Sequence, residues 1–402
     1  MAESAITGLG IVSSLGQSVS DFSKSVLRGD CAIGDISDIV EPTQRVRIGA
    51  PVRGFKPTEH FDSHTLRHLD RFSQFAAVAA RQAWAQAGLA ATAIPAHRIG
   101  VAIGTGVAGI DILDDGFRRI HVRHSKPYPF TVPMTMGNAP ASQIAHELGV
   151  RGPTFGVTSA CASAAHAILL GHKLILSGEV DIFVVGGTDS CFSDGFLRAW
   201  DSLRALSPQP CRPFSIDRCG LSMGEGAGIL VLESMQLARK RGAVLRGRLV
   251  GGGMSSDAGK ILVPDASGME LAIRTALADA KLVADDIDYV NAHGTGTVAN
   301  DKMEAAAINA VFGARQIPIK VSSTKSMIGH CMGASGAIEA IATLVALEKQ
   351  IVPPTVNVIA PAPDCPIDIT PNVPVAQPMA CAISNSFAFG GINATLIFGK
   401  AE

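Results

Sequence analysis

Four stretches of this chain place chemically capable side chains at the ends of strand-like runs. In "GVTSACASAAHAILL" (156–170), a β-rich run over 154–158 ends in small residues and an apolar helical pattern begins at Cys161. A cysteine in the first turn of a buried helix meets unpaired backbone N–H groups and the positive end of the helix dipole, which favour a thiolate. Taken alone, Cys161 would read as a small buried hydrophobe. "VNAHGTGTVANDKMEA" (290–305) closes a strand in a Gly/Thr-rich turn carrying His293, then starts a helix near Asp301. "SSTKSMIGHCMGASGAIEA" (322–340) puts Lys325 and His330 in a glycine-punctuated turn before a helix containing Glu339. "SNSFAFGGIN" (384–393) sets two phenylalanines beside Gly390 and Gly391, where backbone can approach a ligand closely. Together these are components for thiol-based acyl transfer. A thiolate attacks a thioester, imidazoles donate hydrogen bonds to developing oxyanions, and backbone N–H groups complete the hole.

The elements that must position them alternate almost throughout. Strand patterns such as "SAITGLGIVSS", "RIGVAIGTG", "DIFVVGGTD", "IDYVNAHGT" and "MACAISNSFAF" interleave with helical patterns near 70–87, 138–148, 161–177, 268–280, 302–311 and 335–349. This predicts a mostly parallel, layered α/β protein. The order of elements predicts two similar halves, 1–245 with Cys161 and 246–402 with His293, Lys325, His330 and the Phe389 loop. The stretch 105–135 breaks the alternation and reads as an insertion near the substrate entrance. Its "HSKPYPFTVP", with three prolines, cannot be a central strand or a helix interior.

Composition narrows the function class. Of 402 residues, 47% are hydrophobic and 17% charged, which implies a large core. A net charge of −1 gives no global attraction to nucleic acid or to an anionic membrane, so an acidic partner must find a local basic patch. No apolar run reaches the length of a membrane span. The eight cysteines form no CxxC pair and no metal-ligand spacing, and they read as reduced thiols of a cytoplasmic protein. Neither "GTGVAG" nor "GGGMSS" continues as GxGxxG, which makes nucleotide binding a weak reading.

The blocks "TSACASAAHAI", "NAHGTGT", "STKSMIGH", "GASGAIEA" and "SNSFAFGGINATLIF" together resemble the elongating β-ketoacyl-acyl-carrier-protein synthases, the Cys-His-His class of the thiolase superfamily. The resemblance covers essentially the whole chain. It implies a thiolase-like fold of two similar halves in an α-β-α-β-α arrangement, and a ketosynthase of fatty-acid or type II polyketide biosynthesis. On this resemblance Cys161 receives the acyl group, and His293 and His330 hold the malonyl thioester while CO2 leaves. Lys325 and Glu339 form a buried supporting pair, with Asp301 and Glu304 in the same network. The N–H groups of Cys161 and Phe389 make the oxyanion hole, and Phe389 is a gate. Val107 and Thr131 belong to the acyl pocket, and Thr295 and Thr297 to the malonyl-site turn. Arg67, Arg71 and Arg204 match or neighbour positions that dock an acyl carrier protein. No metal or other cofactor is implied. The expected assembly is a homodimer, or a heterodimer with a chain-length factor.

Departures from the family pattern leave the substrate open. Ile328 stands where Thr is frequent, Cys219 where an acidic residue is usual, and Thr131 where many relatives carry a second aromatic, which is expected to widen or polarise the acyl pocket. A thiolase or CoA-dependent initiating synthase would replace one histidine, and a non-catalytic chain-length factor would lack Cys161.

Overall fold

The computed structural model describes residues 3–90 and 93–401. Eleven strands form one sheet: β1 (Ser4–Ser13), β2 (Ile99–Gly104), β3 (Thr154–Val157), β4 (Ile182–Asp189), β5 (Gly226–Ser234), β6 (Gly247–Ser256), β7 (Tyr289–Asn291), β8 (Lys320–Ser322), β9 (Asp368–Ile369), β10 (Cys381–Ala388) and β11 (Ile392–Gly399). Their spatial order is β9-β8-β7-β10-β11-β6-β1-β5-β4-β2-β3. Outward from the central β1–β6 pair, the two wings repeat one order, β1-β5-β4-β2-β3 on one side and β6-β11-β10-β7-β8 on the other. The wings join antiparallel, from Ser4 opposite Leu249 to Ile6 opposite Gly247.

Strands β1 and β4 are buried along their whole length. Near-continuous apolar runs of this kind belong to sheets covered on both faces. Among the helices are α1 (Arg71–Gln86), α2 (Ile110–His121), α3 (Ala139–Leu148), α4 (Ser163–Leu176), α5 (Asp194–Ser202), α6 (Ala266–Ala280), α7 (Val298–Phe312) and α8 (Ser335–Lys349). Helices α1 and α3 lie outside the first wing, and α6 and α7 outside the second. Helices α4 and α8 lie between the wings and touch strands of both. This is the five-layered arrangement that the resemblance implies. Gly104 permits the seat of α4 on β2, because a Cβ there would lie 2.4 Å from the Ala164 nitrogen.

In α8 every residue from Ser335 to Leu347 is buried, Glu339 included. Burying Ile338, Ile341, Leu344, Val345 and Leu347 is worth roughly 1.5–3 kcal/mol each. That sum offsets the several kcal/mol that desolvating one ion costs, so the helix can carry a buried carboxylate to the centre of the molecule.

The 105–135 stretch forms α2 and a short helix, Thr131–Thr135, and does not border the polar opening above Cys161. Gly106 and Val107 line the cavity beside Cys161, and Gly109, Gly116 and Met134 are also buried. Leu113, Phe117, Ile120, Val122, Val132 and Met136 are exposed in this region, so an apolar face points outward.

Candidate active site

Strand β3 leads into Ser159 and Ala160, whose φ of 49° reverses the backbone. Cys161 then sits in a single 3-10 turn, Ala160–Ala162, at the foot of α4. Ser163 braces the turn: its Oγ accepts from the Ser159 N–H at 2.8 Å and donates to the Ala160 carbonyl at 2.6 Å. The thiol is not the ready thiolate that a helix start suggests. Burial pushes it up to about 11, against the pull of the Lys325 ammonium and of the Phe389 and Cys161 N–H groups. Loss of hydration outweighs those attractions.

His293 follows β7, on a turn fixed from α7. Glu304 accepts the N–H groups of His293 and Gly294, each at 2.7 Å, and burial pushes its carboxyl up to about 7. Asp301 accepts from the Phe214 N–H at 2.8 Å and the Gly296 N–H at 3.1 Å, holding the loop that carries Thr295 and Thr297. Those two hydroxyls lie 2.9 Å apart. Lys325 donates to the His293 carbonyl at 2.7 Å, lies 3.2 Å from His293 Nδ1 and forms a close ion pair with Glu339. An ammonium has only donors, so Nδ1 accepts and the ring proton of His293 resides on Nε2.

His330 reaches the same tautomer by another route. The Met332 N–H donates to its Nδ1 at 3.1 Å, and its buried Nε2 has no partner among the described residues. Both imidazoles are held neutral, chiefly by burial and then by the Lys325 charge; His330 adds to the effect on His293. Their rings stand nearly perpendicular, 5.4 Å apart at the centroids. The Cys161 sulfur and one nitrogen from each ring lie within 4.8 Å of one another. A Cys-His-His set could suit zinc, yet with both Nδ1 atoms accepting, each ring carries its proton on Nε2, which makes that nitrogen a donor and not a ligand. The group is configured to donate hydrogen bonds to an anion.

Two cavities meet at Cys161 and Phe389. One, of about 350 Å³, sets the polar groups of His293, His330, Thr295, Thr297 and Asn300 in a mainly apolar wall that includes Ile261, Leu262 and Val263, and is called the polar cavity for them. The other, of about 270 Å³, is walled by Gly106, Val107, Phe196, Ala199, Trp200 and Met332. Phe389 is 39% exposed and stacks on Trp200 at 5.8 Å, so it is not fixed core. Gly390 and Gly391, at φ 86° and 68°, supply the positive dihedrals its loop requires.

Val107 lines the cavity beside Cys161. Thr131 does not: its hydroxyl donates to the Tyr128 carbonyl at 2.7 Å, and it lines neither cavity. Arg67 and Arg204 are exposed, and Arg204 borders the polar cavity. Arg71 is a correction. Its guanidinium is bound to Glu225 (2.7 Å) and the Val52 carbonyl (2.9 Å), and it lies 4.6 Å over the Phe75 ring, so this half-buried side chain is already engaged by its own fold. Cys219 borders the polar cavity, its sulfur 3.3 Å from Ser207 Oγ.

Sequence reasoning missed Asp189, which accepts from the Thr105 hydroxyl and from the N–H groups of Gly106 (2.8 Å), Val107 (3.2 Å) and Gly333 (2.6 Å). It thereby ties the wall of the apolar cavity to the turn after His330. An aspartate closing the buried strand "IFVVGGTD" was the available signal, because an acid is rarely buried without partners.

The chain matches the "Beta-ketoacyl synthase, N-terminal domain" over residues 2–238 and the "Beta-ketoacyl synthase, C-terminal domain" over 246–359. It is 44% identical over 394 residues to Nodulation protein E of Rhizobium leguminosarum bv. trifolii, covering 98% of each chain. To 3-oxoacyl-[acyl-carrier-protein] synthase 2 of Synechocystis sp. it is 39% identical over 406 residues, covering 99% of this chain and 98% of that one. Among solved structures, a chain of the ishigamide ketosynthase/chain length factor superposes with a TM-score of 0.95 at 34% identity, over 100% of both chains. With both family domains matched and such relatives covered along nearly their full length, this chain belongs to the beta-ketoacyl synthase family.

Proposed function

We propose that the chain is an elongating 3-oxoacyl-[acyl-carrier-protein] synthase of fatty-acid or polyketide biosynthesis. The observation that carries this reading is the gathering of the Cys161 sulfur and one nitrogen from each of His293 and His330 within 4.8 Å of one another. The sulfur attacks an acyl thioester on a carrier protein, and the Cys161 and Phe389 N–H groups hold the tetrahedral oxyanion. The carrier thiol leaves with the proton that Cys161 loses, and the acyl chain lies in the apolar cavity. Malonyl thioester then enters the polar cavity, with its thioester oxygen at the two Nε2–H groups. Loss of CO2 leaves negative charge on that oxygen, so the donors stabilise the transition state more than the ground state. The enolate carbon attacks the acyl carbonyl, the C–S bond breaks and the thiolate returns. No metal or redox cofactor enters this balance. Phe389, between the cavities, keeps malonyl out until an acyl chain has displaced it.

An acidic carrier protein fits the exposed Arg67 and Arg204. A second chain, either a copy or a chain-length factor, fits the outward apolar face of α2 and the edge strand β3, since both features invite pairing. The eight unpaired thiols suit a reducing compartment, the cytoplasm; among the described residues no helix is long and apolar enough to cross a membrane.

Intact-protein mass spectrometry after incubation with acyl carrier proteins bearing different chains tests the reading. The expected result is one acyl adduct, absent from Cys161→Ala. An adduct that persists and is elongated in that variant would overturn the assignment.

A further inference from the structure

Ser335, the first residue of α8, is 1% exposed, and its Oγ lies 2.8 Å from His330 Nδ1. The Met332 N–H already donates to that nitrogen, so Nδ1 is an acceptor and the serine hydroxyl must be a second donor. The two donors differ in how they are supported. Met332 adopts a φ of 50°, a left-handed conformation that a side chain resists, and its turn is held by the bond from Gly333 N–H to Asp189. Ser335 sits on the rigid start of a buried helix. At the corresponding place in the first half, Ser163 gives its hydroxyl to the Ala160 carbonyl of its own turn. A serine at this helix start can therefore satisfy itself locally, whereas Ser335 spends its hydroxyl on the imidazole.

We propose that Ser335 is a positioning residue for malonyl decarboxylation, its hydroxyl fixing the His330 ring so that Nε2–H points at the thioester oxygen. This rests on the role given to His330 above. Protonating Nδ1 would break the bond from the Met332 N–H, whereas the Ser335 hydroxyl can turn to accept, so Ser335 fixes the ring and the neutral state is held by burial and Lys325. It touches no substrate atom and acts only through His330.

Ser335→Ala removes the hydroxyl at almost constant volume, and Ser335→Thr retains it. In histidine-15N-labelled protein, the His330 resonances are identified by their loss in His330→Ala. In Ser335→Ala the Nδ1 signal moves towards that of a free unprotonated imidazole nitrogen, and decarboxylation falls about three- to tenfold, the worth of one hydrogen bond. Acylation of Cys161 changes by about twofold at most, and Ser335→Thr restores both signal and rate. An unmoved Nδ1 signal in folded Ser335→Ala overturns the proposal, as does an equal fall in both half-reactions. If His330→Ala itself decarboxylates normally, the functional reading fails instead, while the Nδ1 signal still reports whether the bond exists.

Discussion

Residues 160–176 and 332–349 build the same local shape and put it to different uses. Each begins with a residue other than glycine at positive φ, Ala160 at 49° and Met332 at 50°, then makes one 3-10 turn and enters a helix buried between the wings. Ser163 and Ser335 occupy matching places. Where the first unit has Cys161, the second has Gly333. The cysteine side chain opens into both cavities. At Gly333 a Cβ would come within 2.2 Å of the Gly106 nitrogen, so that position can offer only its N–H, which goes to Asp189. The difference teaches that the helix foot supplies geometry, and the residue seated in it decides between nucleophile and wall. It also teaches that a helix start does not by itself make a thiolate, since burial lifts Cys161 to about 11.

Exchanging what the two turns carry gives the largest effects. Cys161→Ala should abolish acylation with little change in melting, as measured by adduct mass and calorimetry. Gly333→Ala should cost about 1–3 kcal/mol or more of stability in denaturant titration, because the added carbon meets backbone that cannot yield. A Gly333→Ala protein as stable as wild type would show that the second turn is not so tightly filled.

The balance between burial and dipole at Cys161 has a measurable sign. With the pKa raised by burial, the reactive thiolate is a small fraction near neutrality and grows with pH. Alkylation of Cys161 by iodoacetamide should therefore rise about tenfold per pH unit from about pH 7 to 10, without a plateau. A rate already flat by about pH 8 would mean that the dipole and the N–H groups prevail.

The donors facing the thiol should matter by step. His330→Ala and His293→Ala should each slow malonyl decarboxylation by about 10²–10³, the usual loss for one such donor, and affect acylation of Cys161 far less. Equal, small losses in both half-reactions would place the rings outside the reacting centre.

Much of this site was legible because its motifs fall where periodicity changes. Cys161, His293 and His330 each follow a strand whose small residues announce a turn, and helix patterns near 138–148 and 335–349 agree with α3 and α8. What stayed hidden depends on contacts between distant segments. Asp189 shows its purpose only when 105–107 and 333 converge on it. The bond from Ser335 to His330 needs a backbone reversal at Met332 that no residue type there predicts, since methionine seldom adopts positive φ. Helix α2 falls in the stretch that breaks the alternation, because its apolar residues Leu113, Phe117 and Ile120 point outward. Arg71 looked like a surface charge in "LRHLDRFSQF", yet its partner Glu225 lies 154 positions away.

That contrast among arginines gives the smallest expected effect. Arg204 lies at the mouth above the two turns, exposed and without an ion-pair partner among the described residues, whereas Arg71 is bound to the 2%-exposed Glu225 side chain. Reversing a free surface charge removes an attraction worth about 1 kcal/mol or less. Arg204→Glu should therefore raise KM for carrier-bound substrates about fivefold, leave kcat and melting nearly unchanged, and spare small acyl-pantetheine substrates. The effect should shrink as salt is added, because exposed charges are screened over about 10 Å at 0.1 M. Arg71→Glu should behave differently. It leaves Glu225 buried beside a like charge and should cost about 3–5 kcal/mol of stability, whichever substrate is used. If Arg204→Glu instead lowers turnover of both substrate types alike, and salt makes no difference, the residue serves the cavity mouth and not the carrier.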